Sequence, residues 1–290
     1  MNQFHRRTQL TRALGPQPKP AFGLAAGLTV AFLPSLQPCA RAENVAASVI
    51  QYTPGAGAAV GYDLANSALG EPSRITPGEF GGPVDPLSGP WQSGQLVSIG
   101  AGGSLTVRFA SPVLNAASNP YGLDFSIFGS AAFIITNGDF TGGGVTDGSM
   151  FGNGTGETRV SVSADGSTFY LLNPALAPRV DGLFPTDGSG DFNRPVDPSL
   201  KESDFAGLDL VGIRERYAGS GGGTGFDIGW ARDDAGQSVA LDHIEFVRID
   251  VLSDRAEIDA LVAVPEPKAL PLLFLGASLW MLPRATQRRR

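Results

Sequence analysis

Cysteine and histidine are nearly missing from this chain of 290 residues. Cys39 is the only cysteine, so no disulfide can form within the chain, and zinc sites built from several thiolates are excluded. His5 and His243 are the only histidines, which excludes a three-histidine zinc site. A Ser-His-Asp triad would depend on His243, and no Gly-x-Ser-x-Gly elbow accompanies it. We therefore interpret His243 as a residue at the mouth of a strand.

Basic residues are scarce between residues 43 and 267. This range holds all 28 acidic side chains against 11 basic ones, a formal net charge of −17, whereas the full chain carries −7. Such a charge repels nucleic acid and anionic membrane surfaces, which argues against both as partners of this range. The glycine-rich run 219–225 has no lysine after it, so it is not a phosphate loop, and we expect a flexible loop there.

Alternation of apolar and polar residues is the main pattern of this range, and helical periodicity is absent. Three hairpins are predicted, pairing 95–99 with 104–109, 123–128 with 132–136, and 158–163 with 168–172. The last is the strongest, because Asp165-Gly166 lies between alternating apolar residues. Further strands are predicted at 46–52, 208–213, 226–231, 238–241, 244–251 and 257–264. In 244–251 the apolar parity switches after Phe246, which indicates a bulge or burial on both faces.

The N-terminal 42 residues have the order of a secretory signal peptide. Residues 1–19 are basic without acids, residues 21–33 are apolar, and Pro34 ends that run. Ala40 and Ala42 fit a small-x-small cleavage site. We therefore expect export, with cleavage after Ala42 that also removes Cys39.

The C-terminal stretch, 264–290, has three parts. Val264, Pro265, Glu266 and Pro267 precede an unbroken apolar run, 270–282. As a helix this run is about 20 Å long, against about 30 Å of hydrocarbon, so it is marginal as a membrane span. The basic stop that follows consists of Arg284, Arg288, Arg289 and Arg290.

This order of parts resembles the PEP-CTERM sorting signal of bacterial proteins. The resemblance implies recognition of Pro265, Glu266 and Pro267 by an exosortase-type enzyme that cuts near them, and transient anchoring in the inner membrane by the hydrophobic helix. It also implies a final place at the cell surface or in the extracellular matrix. Whether the tail is cleaved stays open.

Many short strands joined by Gly/Pro-rich turns, with no linker between them, predict one all-β domain over residues 43–263. We expect an antiparallel β-sandwich with jelly-roll topology, flanked by the signal segment and the C-terminal hydrophobic helix. The run 160–172 resembles the strand–turn–strand of galactose-binding-like jelly rolls, and 246–260 resembles their closing strand pair. This second resemblance implies a fold and no ligand.

A calcium site is the sharpest metal hypothesis. Asp187, Ser189 and Asp191 alternate with glycines, and Asp181 lies just before them. Oxygen ligands on a flexible loop suit Ca²⁺, but the same residues also form ordinary hydrogen-bonded turns, so both interpretations stay open.

Three functions are compatible with these observations. We expect a non-enzymatic component of the cell surface or biofilm matrix. The first alternative is a carbohydrate-binding module that binds exopolysaccharide, with Trp91 and Tyr217 as glycan contacts unless those rings fill the core instead. The second is a glycoside hydrolase with a carboxylate pair, whose separation no sequence shows.

Overall fold

Fourteen strands and one α-helix are present in the computed structural model, which describes residues 44–152 and 156–266. The strands are β1 (Ala46–Thr53), β2 (Ile75–Thr76), β3 (Gly82–Pro83), β4 (Val97–Gly100), β5 (Ser104–Leu114), β6 (Phe125–Gly129), β7 (Ala132–Ile135), β8 (Thr146–Phe151), β9 (Thr158–Ser163), β10 (Tyr170–Leu172), β11 (Thr224–Phe226), β12 (Ala231–Arg232), β13 (His243–Val251) and β14 (Arg255–Ala263). The helix is α1 (Leu210–Tyr217), and short 3-10 turns occur at Ala65–Ala68, Pro120–Gly122, Glu202–Phe205 and Ile228–Trp230.

Two antiparallel sheets face each other and form a β-sandwich. The larger has the order β1-β5-β13-β9-β10-β12, and the smaller has the order β11-β6-β14-β4. Leu105, Val247 and Ile249 of the larger sheet share one buried core with Ile127 and Ile258 of the smaller. The remaining pairs, β2–β3 and β7–β8, lie outside both sheets. The predicted all-β sandwich is confirmed.

The six-stranded sheet has one buried face and one solvent-exposed face. In β13 the buried residues Val247, Ile249 and Val251 alternate with partly exposed ones. The register against β5 shifts between Ile244 and Phe246, which is the bulge that the parity switch predicts. The β9–β10 hairpin is also confirmed, with the Asp165 carboxylate accepting hydrogen bonds from the N–H groups of the turn.

The four-stranded sheet is covered on both faces. Because successive side chains of a strand point to opposite faces, Phe128 and Val262 point away from the main core, where they pack with Phe192. Phe192 belongs to residues 181–223, which we call the cover. A second core joins the cover to β7 through the residues Phe133, Phe184, Val196, Phe205, Ile213 and Tyr217.

Within the cover, the strand predicted at 208–213 is wrong, because the chain forms α1 there. The Asp209 side chain caps the helix by accepting a hydrogen bond from Gly212 N–H. Ile213 and Tyr217, four residues apart, bury one face of the helix in the second core.

The run 219–225 is also packed, contrary to the flexible loop expected from its glycines. A Cβ atom on Gly221 would lie 2.3 Å from the Phe192 ring, and one on Gly223 would lie 2.9 Å from the Phe128 ring. Gly221 also exchanges backbone hydrogen bonds with Asp187 and Asp191. The glycines are required because the backbone passes between two aromatic rings.

Three predicted pairings are wrong in partner although the strands exist. β4 and β5 lie in opposite sheets, because both direct apolar residues into the core from either side. β6 pairs with β11 and β14, whereas β7 pairs with β8. β13 and β14, the expected closing pair, also lie in opposite sheets. The segment 238–241 is not a strand, although Ser238 forms a single bridge with Arg232 of β12.

Both ends of the described range meet at β14. Val45 bridges to Val262, and Val264 N–H donates to Asp124 O at 2.8 Å. Pro265 and Glu266 then emerge exposed. The predicted signal segment with Ala40 and Ala42, Pro267, the apolar run and its arginines lie outside the described residues. Within the described range, no helix is long and apolar enough to cross a membrane.

Candidate functional site

A cavity of about 610 Å³ opens at one end of the four-stranded sheet. Loops around residues 59–62 and 87–91 form one side, and the ends of β6, β8 and β14 form the other. We call it the Trp91 groove and define it by three rings and three polar side chains: Tyr62, Trp91, Phe151, Ser130, Arg255 and Glu257.

Two rings of the groove are exposed to solvent, Trp91 on a loop that is held in place and Phe151 at the end of β8. Trp91 is 48% exposed and Phe151 is 55% exposed, and both line the same cavity. The Tyr62 hydroxyl donates to the carbonyl of Trp91, and Gln92, the next residue, bonds Pro77 O through its side chain. The ring of Trp91 therefore stands exposed on an anchored backbone.

The polar side of the groove is organised around Glu257. Ser130 Oγ lies 2.8 Å from Glu257 Oε2 and 3.3 Å from Gly152 O. The hydroxyl has a single proton, and we assign it to the nearer, charged acceptor. Arg255 Nε lies 3.3 Å from Glu257 Oε1. A carboxylate acceptor and a guanidinium donor thus stand side by side in the groove.

Ser130 is fixed by close backbone packing on two sides. A Cβ atom on Gly89 would lie 3.0 Å from Ser130 O, and one on Gly152 would lie 2.9 Å from the same atom. Contacts this short leave no room for a side chain at either glycine. The backbones of the Trp91 loop and of the end of β8 are therefore in close contact with Ser130, on the Glu257 side of the groove.

A second carboxylate lies behind Glu257. Asp181, from the cover, is fully buried, and its Oδ2 accepts a hydrogen bond from Glu257 N–H at 3.1 Å. Its Oδ1 has no hydrogen-bond partner of normal geometry among the described residues, although Ser130 N–H and Ala131 N–H lie near enough to favour the charged form. Burial raises the pKa of Asp181 to about 7, and the negative charge of Glu257 contributes in the same direction.

No protein-family model and no curated protein sequence matches this chain. The groove, the residues around it and the C-terminal motif are therefore the features that bear on function.

Of the two predicted glycan contacts, only Trp91 is available to a ligand. Tyr217 is 2% exposed and packs edge-on against Phe184 and Phe205 in the second core. Its hydroxyl donates to Pro185 O at 2.8 Å. Tyr217 as a glycan contact is wrong, because the end of α1 buries it beneath the cover.

The four predicted calcium ligands do not converge. Asp187 is held by Arg214, with Nε 2.8 Å from Oδ2 and Nη2 3.0 Å from Oδ1. Burial alone would raise the pKa of Asp187, but the hydrogen bonds from Arg214 and Ser189 lower it. Ser189 and Asp191 take part in hydrogen-bonded turns, and Asp181 faces Glu257 instead. The turn interpretation is confirmed for the 187–191 loop.

No group of three or more histidine, cysteine, aspartate or glutamate side chains within 44–152 and 156–266 could hold a metal ion. Ser189 and Asp191 do line a second cavity of about 540 Å³. Its wall also carries Arg74, which lies over the Phe192 ring and donates to the carbonyl oxygens of Gly188 and Gly190. A fixed guanidinium beside these oxygens disfavours a cation, so the predicted calcium site is not assembled there.

The groove has one carboxylate lining it among the described residues, Glu257. Hydrolysis of a glycoside by a carboxylate pair requires two carboxyl groups that reach the substrate, about 5 to 9.5 Å apart. Asp181 is buried behind Glu257 and does not line the cavity. His243 lies at the start of β13, in the other sheet. Among the described residues, the groove therefore does not present the carboxylate pair that the glycoside-hydrolase alternative requires.

Sequence reasoning missed Ser130, Phe151, Arg255 and Glu257. Glu257 and Asp259 alternate with apolar residues in β14, a pattern that normally marks a wet face of a sheet. Nothing local shows that distant residues cover this face. Trp91 could be found because it lies in a proline-rich segment between strands, where large rings are often functional.

Proposed function

We propose that this chain is an exported, non-enzymatic protein of the bacterial cell surface or extracellular matrix that binds polysaccharide in the Trp91 groove. This proposal combines two hypotheses from the sequence, a matrix component and a carbohydrate-binding module, because a matrix component with a glycan-binding groove can attach to exopolysaccharide. In this proposal the sandwich is a jelly roll, and the PEP-CTERM-like signal directs its sorting by an exosortase-type enzyme.

The observation that carries the proposal is the composition of the groove. Exposed flat rings of Trp91 and Phe151 can stack on the apolar faces of sugar rings, while Glu257 and Arg255 can bond their hydroxyl groups. A volume of about 610 Å³ lies within the range of about 300–1,000 Å³ found for ligand pockets. Few polar groups beside an apolar wall are the usual design of such pockets.

The location of the sorting motif supports the other half of the proposal. Val264 is buried against the domain, and Pro265 and Glu266 are exposed immediately after it. A processing enzyme can therefore reach Pro265 and Glu266 without unfolding β14. Transient anchoring in the inner membrane and final release to the surface follow from the resemblance of residues 264–290 to a PEP-CTERM signal.

The test is Trp91→Ala in the full-length chain, assayed by pull-down on exopolysaccharide and on a glycan array. We expect retention to fall about fivefold or more, because covering a large aromatic ring with a ligand contributes on the order of 1–3 kcal/mol. The matched control is Phe140→Ala, which removes another exposed ring that lines a different cavity.

Equal retention of the wild-type chain and the Trp91 variant would contradict the proposal, as would loss of retention in the Phe140 variant. Circular dichroism of both variants should match that of the wild type, since neither ring belongs to a buried core.

A further inference from the structure

The charged pair in the Trp91 groove is internally neutral. Arg255 is half exposed and is the only basic side chain among the described residues that line the groove. Its Nε lies 3.3 Å from Glu257 Oε1, so its charge is matched before any ligand arrives. An anionic sugar therefore meets no uncompensated positive charge there.

The domain that carries the pair is acidic overall. Residues 43–267 carry a formal net charge of −17. Between groups separated by low-dielectric protein, such charges are screened less than they are in water. The net charge of the domain therefore opposes an anion in the groove, and the paired Arg255 offers no uncompensated positive charge to offset it.

We propose that the Trp91 groove selects uncharged saccharides and rejects uronate-containing ones, an inference that depends on the proposed glycan-binding function. The chemistry is complementary: a neutral sugar offers hydroxyl groups that donate to the Glu257 carboxylate and accept from the Arg255 guanidinium. A uronate carboxylate can only accept, so it competes with Glu257 for Arg255 and is repelled by Glu257.

The experiment is titration calorimetry on the full-length chain. The neutral probes are cellohexaose and maltohexaose, and the acidic probes are the hexamers of galacturonic and guluronic acid. We expect the better neutral probe to bind at least about tenfold more tightly than either acidic one at low salt. Added salt should narrow that ratio by weakening the repulsion of the acidic probes.

Glu257→Gln tests the local origin of the selectivity. It removes one negative charge and keeps an oxygen that can accept from Ser130 Oγ–H. We expect the neutral probe to bind more weakly, and we expect the ratio of neutral-probe affinity to acidic-probe affinity to fall severalfold. Asp250→Asn is the matched control, because it removes the same charge from the exposed face of the other sheet, where Asp250 pairs with Arg248. The Asp250→Asn variant should show the same ratio of neutral-probe to acidic-probe affinity as the wild type.

The two proposals fail differently. If acidic and neutral hexamers bind equally well and both require Trp91, the selectivity is overturned and glycan binding stands. If Asp250→Asn narrows the ratio as much as Glu257→Gln, the local origin is overturned. If no hexamer binds, glycan binding is overturned and the selectivity with it.

Discussion

The two sheets of the sandwich differ in where their charged side chains lie, exposed on one sheet and buried on the other. The six-stranded sheet displays its ion pairs on a wet face, where Arg108 bonds Glu245 and Arg248 bonds Asp250. The four-stranded sheet has loops and the cover over its outer face. Asp259 of β14 is buried beneath them, and Asp181 of the cover is buried against β14. Asp259 accepts hydrogen bonds from Ser73 N–H and Ser73 Oγ–H at 2.7 and 2.8 Å.

This difference shows where binding energy can be concentrated. Exposed pairs on a flat face are screened by water and salt, and they contribute about 0–1 kcal/mol each. Polar groups between a sheet and its cover are held in fixed positions and interact more strongly. The Trp91 groove lies at the end of the covered sheet, so its Glu257 has neighbours that the open sheet does not provide.

The largest predicted contrast concerns aromatic packing. Phe205→Ala should lower the free energy of unfolding by about 3–5 kcal/mol, because Phe205 is buried between Phe133, Phe184 and Tyr217. Phe246→Ala, on the open face of β13, should cost about 1 kcal/mol or less, because its ring is partly exposed beside Arg108. Urea denaturation measures both, and equal costs would show that the cover does not stabilise its sheet.

The next contrast is in pH dependence. Burial raises the pKa values of Asp181 and Asp259 to about 7, against an ordinary 3.8. Between pH 4 and pH 7 these two groups therefore bind more protons in the native state than in the unfolded state, and their contribution to the free energy of unfolding falls as the pH rises through this window. The expected loss is on the order of a few kcal/mol for the two groups together, measured by denaturation at several pH values.

Replacing both groups by asparagine should flatten this slope, because asparagine stays neutral at every pH. Asp165→Asn is the control from the other sheet. Hydrogen bonds from Thr168 and Ser167 N–H lower the pKa of Asp165, so its contribution has the opposite sign and is lost at acidic pH. An unchanged slope in the double variant would mean that these two carboxylates do not control the pH dependence.

A smaller contrast separates two arginines. Arg214→Ala leaves the Asp187 carboxylate, which is 2% exposed, without its bidentate partner. We expect a loss of about 2 kcal/mol in unfolding free energy. Arg248→Ala breaks an exposed pair with Asp250 and should cost about 0–1 kcal/mol. Thermal denaturation measures the stability of both variants. Equal losses of stability would show that Asp187 is exposed to water rather than buried within the cover.

The smallest effect is expected for calcium. Because Arg214 already neutralises Asp187, millimolar Ca²⁺ should leave the melting temperature unchanged, since only a ligand that binds the native state stabilises it. A clear rise, abolished by EDTA, would show a site that the described residues do not assemble.

The open sheet could be predicted from the sequence far better than the covered one. The Asp165-Gly166 turn and the parity switch at Phe246 are local signals, and both appear in the structure as expected. The α1 helix could have been found from the Asp209 cap and the spacing of Ile213 and Tyr217. The position of the cover depends on contacts such as Phe128 with Phe192, 64 residues apart, which no local pattern encodes.

The central position of β14 has a mechanical consequence. This strand is hydrogen-bonded to β6 on one edge and β4 on the other, and it leads directly into Pro265. Hydrogen bonds in antiparallel sheets are perpendicular to the strands, so tension applied at Pro265, in the proposed sorting motif, would load the β6 ladder over residues 258–263 first and the β4 ladder over residues 255–258 after it. Glu257 lies near the opposite end of β14, about 20 Å away at about 3.3 Å per residue. Under the proposed function, a polysaccharide bound in the groove would pull on one end of this strand while the C-terminal anchor holds the other.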